Sequence, residues 1–157
     1  MPHPPSDPSG ASSVAVGRQP VFDAKRRLWG YELFGVGRSA ETASGLPDAD
    51  ALAVQLAAGA GIGLQELAAG GRRVLVPVGE KSLRDRVPYA LPPALVAVTV
   101  PEDLGCRPEA VAALEALKTD GYGIAVSGFN GRSACAPLYR LADVIGIDAG
   151  RRPLEEL

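Results

Sequence analysis

Four carboxylates, Glu32, Glu102, Asp103 and Asp148, stand at the ends of short apolar runs, the places where an α/β protein usually gathers its chemistry. Such groups could hold divalent cations. A hydrolytic centre, however, needs several oxygen ligands converging on one point, and a two-metal site must neutralise ions about 3.5–4 Å apart. Two or three scattered carboxylates are a thin supply, and each is expected to be solvated or to cap a helix. The sole histidine, His3, lies in MPHPPSDPSGASS, a Pro/Ser-rich opening expected to be disordered over residues 1–13. Ser-His-Asp triads, Cys-His dyads and His-based metal sites are thereby removed from the folded body. Cys106 and Cys135 lack C-x-x-C spacing and are expected to be buried or incidental thiols. GAGIG at 59–63 falls late in a helical pattern rather than between a strand and a helix, so it reads as a helix break or a close-packing site, not a phosphate loop. The most pointed stretch is GYGIAVSGFNGR at 121–132. There a short strand runs into Ser127-Gly128-Phe129, offering a hydroxyl and bare backbone where an acid, base or ligand would be looked for.

The elements that position these residues alternate. VAVGRQPVFDAKRRLWGYELF predicts two strands joined by a turn at Asp23-Ala24-Lys25-Arg26. A single helical pattern is predicted from about Asp48 to a stop at Gly70-Gly71. RRVLVPV, ALVAVTV, IAVS and DVIGID read as strands, near-continuously apolar as in parallel sheets covered on both faces. The clearest helix is RPEAVAALEALKTDGYG, with Pro108 in its first turn, Lys118 near its end and Gly121 just beyond. A short helix is expected around SACAPLYRLA. Strand–helix alternation implies parallel βαβ units, with the opening pair as an antiparallel addition. Open edges are expected at strands 28–34 and 143–148. Arg72-Arg73 and Arg151-Arg152 read as solvated faces.

Composition narrows the function classes. At 157 residues the chain suits one domain, here residues 14–157, and 46% apolar with 22% charged residues is ordinary for a soluble protein. A formal charge of −2 makes no electrostatic case for nucleic acid or anionic membrane. No apolar run approaches the roughly 18 residues that span a bilayer, so a cytoplasmic protein is expected.

Taken as an ordered series, these stretches resemble an EAL domain, the cyclic-di-GMP phosphodiesterase module of bacterial signalling. VGRQPVFDAKRRLWGYELF is similar to that family's R-Q-P-I-F opening and Tyr-Glu-Leu-Leu strand. GIGLQELAAGGRRVLVPV, LPPALVAVTVPED, LKTDGYGIAVSGF and LADVIGID follow in the family's order. The branch joined to an HDOD domain is the one this chain resembles most. The resemblance implies an α/β fold, a partial TIM-like (β/α) barrel of the EAL type with an antiparallel strand pair at the start. A full barrel runs to around 250 residues, so a truncated domain is expected. Active members of the family use two Mg²⁺ or Mn²⁺ ions. Carried over residue by residue, the signature glutamate is Glu32, while the arginine four positions on is Val36. The metal-binding asparagine falls at Pro77, the next strand's glutamate at Thr99, and the paired aspartates at Ser127 and Gly128, with Phe129 kept. The catalytic lysine falls at Gly146, and the aspartate beyond it survives as Asp148.

With these substitutions no catalytic residue, metal or cofactor is expected, and Glu32 and Asp148 are vestigial positions. The expected role is a catalytically inactive, degenerate signalling module, a pseudoenzyme acting through protein–protein contact with another protein or in a homo-oligomer. Two alternatives remain: a receptor that binds cyclic-di-GMP without cutting it, with Arg38 a weak substitute for the missing arginine, and a structural or oligomerisation module.

Overall fold

The computed structural model describes residues 15–36, 48–59 and 63–148. The expected disorder of residues 1–13, Arg38, and Arg151-Arg152 lie outside the described residues. The chain opens with β1 (Ala15–Phe22) paired antiparallel to β2 (Leu28–Val36). Asp23 makes the turn between them. Its carboxylate accepts from the backbone N–H groups of Lys25 and Arg27 at 2.8 and 2.9 Å, and Arg26 takes the left-handed conformation at φ 59°. The Arg27 backbone N–H, followed by its guanidinium, holds the Asp23 carboxyl below its usual value.

Four parallel strands follow: β3 (Arg73–Pro77), β4 (Val96–Pro101), β5 (Gly123–Ser127) and β6 (Val144–Ile145). They extend one sheet in the order β1-β2-β3-β4-β5-β6. The fold is α/β, a partial (β/α) barrel with an antiparallel pair at its start. Among the described residues β6 pairs only with β5, as the sequence implied. The opposite edge is β1, not strand 28–34, because the opening hairpin lays β1 along the outer side of β2.

Alternation along the strands gives the sheet two unlike faces. On one, Val74, Val76, Val96, Val98, Val100, Ile124 and Val126 are at most 1% exposed. They pack in one core with Leu52, Leu56, Leu67, Leu114, Leu117 and Leu138 from the helices. Each such side chain contributes about 1.5–3 kcal/mol when fully buried. On the other face a smaller cluster forms from Leu75, Ala97 and Ala125, with Val21, Trp29 and Val144 against it. Burial on both sides explains why these strands read as unbroken apolar runs.

The helices are α1 (Asp48–Ala57), α2 (Leu64–Leu67), α3 (Glu80–Arg84), α4 (Glu102–Gly105), α5 (Pro108–Thr119) and α6 (Ala136–Leu141). In α5, Ala110, Leu114 and Leu117 bury one stripe at helical spacing. The single helix expected from Asp48 to Gly70 is instead two. The chain leaves α1 through Gly59 at φ +73°, which glycine adopts without steric cost. Of GAGIG, residues 60–62 lie outside the described residues; α1 has ended before Gly59 and α2 begins after Gly63. Nothing lies within 4 Å of where a Gly59 Cβ would sit, so close packing does not explain this glycine. Between α1 and α3, the Asp50 carboxylate accepts from the Ser82 backbone N–H at 2.8 Å, serving a first-turn donor that Gly79 leaves uncapped. Arg73 is half-buried and donates to the Pro93 carbonyl at 3.3 Å, so it is not part of a solvated face. Among the described residues no helix is long and apolar enough to cross a membrane.

Candidate functional site

Parallel register carries the singled-out positions to one rim. Glu32 lies beside Leu75, Pro77 beside Thr99, Thr99 beside Ala125, and Pro101 beside Ser127. Gly146 continues the row. Its N–H donates to the Val126 carbonyl at 2.7 Å, and its carbonyl accepts from the Phe129 N–H at 3.2 Å. Pro77, Thr99, Ser127 and Gly146 thus stand on four adjacent strand ends, on the face of the small Leu75, Ala97 and Ala125 cluster. Glu32 joins them through its register with Leu75 and is half-buried, whereas Asp148 is exposed beyond β6.

The polar content of this row is small. Thr99 is 5% exposed, and its Oγ1 has no hydrogen-bond partner. The Ser127 hydroxyl reaches the Val100 carbonyl only at 3.5 Å, the weak end of hydrogen-bond geometry. Pro77 has neither a side-chain oxygen nor an N–H. Gly128 turns the chain out of β5 at φ +66°, in open space. Among the described residues no three His, Cys, Asp or Glu side chains are grouped to hold a metal ion.

One position along the rim the chemistry changes. Glu102 opens α4 directly after β4, and its side chain is 1% exposed. It is neither solvated nor a simple helix cap. Its Oε2 accepts from the Asn130 backbone N–H at 3.1 Å and the Asn130 Nδ2 at 3.0 Å, with the Arg132 guanidinium 3.3 Å away. Its Oε1 accepts from the Tyr139 hydroxyl and, at 3.5 Å, from the Arg132 backbone N–H. Burial alone would raise the Glu102 pKa. The hydrogen bonds from Tyr139, Asn130 and the Arg132 backbone outweigh it, lowering the carboxyl from 4.5 to about 2. Burial first, then donation to this carboxylate, pushes the Tyr139 phenol upward. Arg132 also pairs with exposed Asp103, and Phe129 meets Tyr139 edge-on with ring centres 5.0 Å apart. The carboxylate therefore anchors the loop after β5.

Asn130, Arg132 and Tyr139 were not singled out by sequence. The available signal was the turn itself: Gly128 and Gly131 both take positive φ, and the N–H groups so turned inward require an acceptor.

The cysteines are the clearest correction. Cys106 and Cys135 are not thiols but a disulfide, with Cα atoms 4.8 Å apart. Twenty-nine positions of separation hide this closeness. Because β4 and β5 are adjacent and parallel, the loops leaving their carboxyl ends lie side by side, and each carries one cysteine.

The chain is similar in structure to Klebsiella pneumoniae BlrP1 in a manganese/cyclic-di-GMP complex at pH 9.0, with a TM-score of 0.61 and 20% identity. The same protein in a calcium/cyclic-di-GMP complex at pH 8.0 gives 0.56 and 19%. Each match covers 94% of this chain and 43% of the solved one. In sequence, the uncharacterized protein YuxH of Bacillus subtilis (strain 168) is 28% identical over 118 residues, covering 74% of this chain and 28% of YuxH. No known protein family's profile matches the chain. The chain thus spans less than half of each solved relative and little more than a quarter of YuxH, and what these likenesses carry is the EAL-like partial-barrel fold.

Proposed function

We propose that this chain is an EAL-like signalling module that does not hydrolyse cyclic-di-GMP and acts through contact with another protein chain. The observation that carries this reading is the composition of the rim. Pro77, Thr99, Ser127, Gly128 and Gly146 occupy adjacent strand ends, and their side chains offer no carboxylate, amide or amine. Two divalent cations need several anionic or carbonyl oxygens pointing inward, and Glu32 with Asp148 would have to supply them alone. Among the described residues β6 has no strand partner on its outer edge, and exposed Ile145 and Ile147 there support a contact role. The test is incubation of the purified protein with cyclic-di-GMP and either Mg²⁺ or Mn²⁺. The expected result is no linear dinucleotide above the rate without protein. Turnover that followed the protein through purification would overturn the reading.

A second reading is a receptor that holds cyclic-di-GMP without cutting it. It is favoured by the BlrP1 structures, which are complexes with that nucleotide and a divalent cation. Val36, where the family resemblance calls for arginine, weakens it. Calorimetric titration of cyclic-di-GMP separates the two, because saturable heat at micromolar concentration belongs only to the receptor.

A further inference from the structure

The disulfide lies where it controls a loop rather than the core. Cys106 follows α4 directly, and Cys135 ends the 3₁₀ turn (Ser133–Cys135) that leads into α6. The bridge therefore ties the loop after β4 to the loop after β5. The same two loops are joined once more, through Glu102 and its bonds to Asn130 and Arg132. Segment 128–135 is held at one end by β5, in its middle by Glu102, and at its far end by Cys135. Its residues 130–134 are exposed and belong to no strand, and the further ties of the segment, from the Phe129 N–H to the Gly146 carbonyl and from Arg132 to Asp103, lie at or before Arg132, so Ser133 and Ala134 depend most on the bridge.

The two sulfurs differ in access. Cys135 is 1% exposed, within the folded body. Cys106 is half-buried and sits at the border of the helix-side core. An incoming thiolate must reach one sulfur of a disulfide, and only Cys106 has surface to offer. With the Cα atoms 4.8 Å apart, inside the ordinary range for a disulfide, the bond can close and open without moving the strands.

From this placement we infer that Cys106–Cys135 is a thiol–disulfide exchange site for a low-molecular-weight thiol, attacked at Cys106, and that its state sets the mobility of loop 128–135. In the first step a thiolate RS⁻ bonds to Cys106 Sγ, and the S–S bond breaks with its electron pair on Cys135 Sγ, which takes up a proton. A second RS⁻ then attacks the sulfur of the bound R group. This releases the Cys106 thiolate, which is protonated, and forms RSSR. The protein gains two electrons and two protons, and two RSH are oxidised to one RSSR. Run backwards with RSSR as oxidant, the same steps close the bridge. After reduction Glu102 still holds the middle of the loop, so the effect is local.

The test equilibrates the full chain with glutathione and glutathione disulfide at several ratios, traps thiols with a maleimide, and maps peptides by mass. Hydrogen exchange is followed on both forms. A peptide linking Cys106 to Cys135 is expected on the oxidised side, and two maleimide labels on the reduced side. In Cys135→Ser, the Cys106 thiolate should attack glutathione disulfide, forming the mixed disulfide and releasing one glutathione, about tenfold or more faster than the Cys135 thiolate does in Cys106→Ser, since access governs exchange. On reduction of the unmutated protein, amides in 128–135 should exchange about tenfold faster or more while those of β3 and β4 do not change. Absence of the linked peptide at every ratio overturns the inference, as does faster addition at Cys135. Acceleration across the whole sheet would also overturn it, because the bridge would then be a staple of the domain. The unmutated protein carries the exchange measurement, so a poorly folding serine variant does not decide the matter.

Discussion

Two neighbouring parts of one rim differ in how their polar atoms are treated. At Pro77, Thr99 and Ser127 the side chains make almost no hydrogen bonds, and the buried Thr99 hydroxyl has no partner among the described residues. Three residues beyond Thr99, Glu102 is as deeply buried, yet both its oxygens are engaged by Asn130, Arg132 and Tyr139. A buried charge is kept only where donors meet it, and a neutral hydroxyl can be left unsatisfied at smaller cost. The contrast separates two roles that a barrel rim can hold. The positions that the family resemblance assigns to ion binding carry proline, threonine, serine and glycine. The position that shapes the loop over the rim carries a charge and the partners that satisfy it.

The largest effect on this contrast should come from Glu102→Ala. It removes the acceptor for the Asn130 and Arg132 backbone donors, leaves the Tyr139 hydroxyl without its acceptor, and leaves the Arg132 guanidinium with only exposed Asp103. Breaking a buried ionic network from one side costs about 3 kcal/mol, read by chemical denaturation at neutral pH. A loss below about 1 kcal/mol, the range of surface pairs, would mean that the carboxylate does not anchor the loop. Acidification approaches the same bond more gently. The folded-state pKa of Glu102 is lowered to about 2 from 4.5, so its contribution is complete above about pH 4.5. It declines as pH falls through that window, because the unfolded chain binds the proton first. Glu102→Gln should flatten this part of the stability profile relative to the unmutated protein. An unchanged acid limb in the variant would assign the acid sensitivity to other carboxylates.

How much of this was legible in the sequence follows from the range of each interaction. The strands were legible because burial on both faces leaves continuous apolar runs, as in ALVAVTV. Helix α5 was legible because Pro108, Lys118 and Gly121 mark its ends within the segment itself. A break at GAGIG was one of two readings, left undecided because a helical pattern of alanines and leucines continues on both sides of it. The Cys106–Cys135 bridge and the Glu102 network were hidden for one shared reason. Both join the loop after β4 to the loop after β5, and that adjacency exists only once the parallel pairing of Pro101 with Ser127 is made. The low polarity of the rim was visible beforehand, since Pro77, Gly128 and Gly146 carry no donor or acceptor side chain in any fold.

The smallest predicted effect lies on the rim's unpartnered hydroxyl. Valine has nearly the shape of threonine, so Thr99→Val should keep the packing beside Pro77 and Ala125 and remove only an oxygen that is buried without a hydrogen bond. The expected outcome is a gain of about 1 kcal/mol, with the Glu102 acid limb unchanged because the two groups share no hydrogen bond. The sign carries the argument. Had this rim been kept for ligand chemistry, the hydroxyl would have a use that valine cannot fill, and the cost of burying it would be offset by binding. A loss of about 1 kcal/mol or more on Thr99→Val in the absence of any ligand would show instead that Oγ1 has a partner within the folded protein. The difference between the two parts of the rim would then be one of degree.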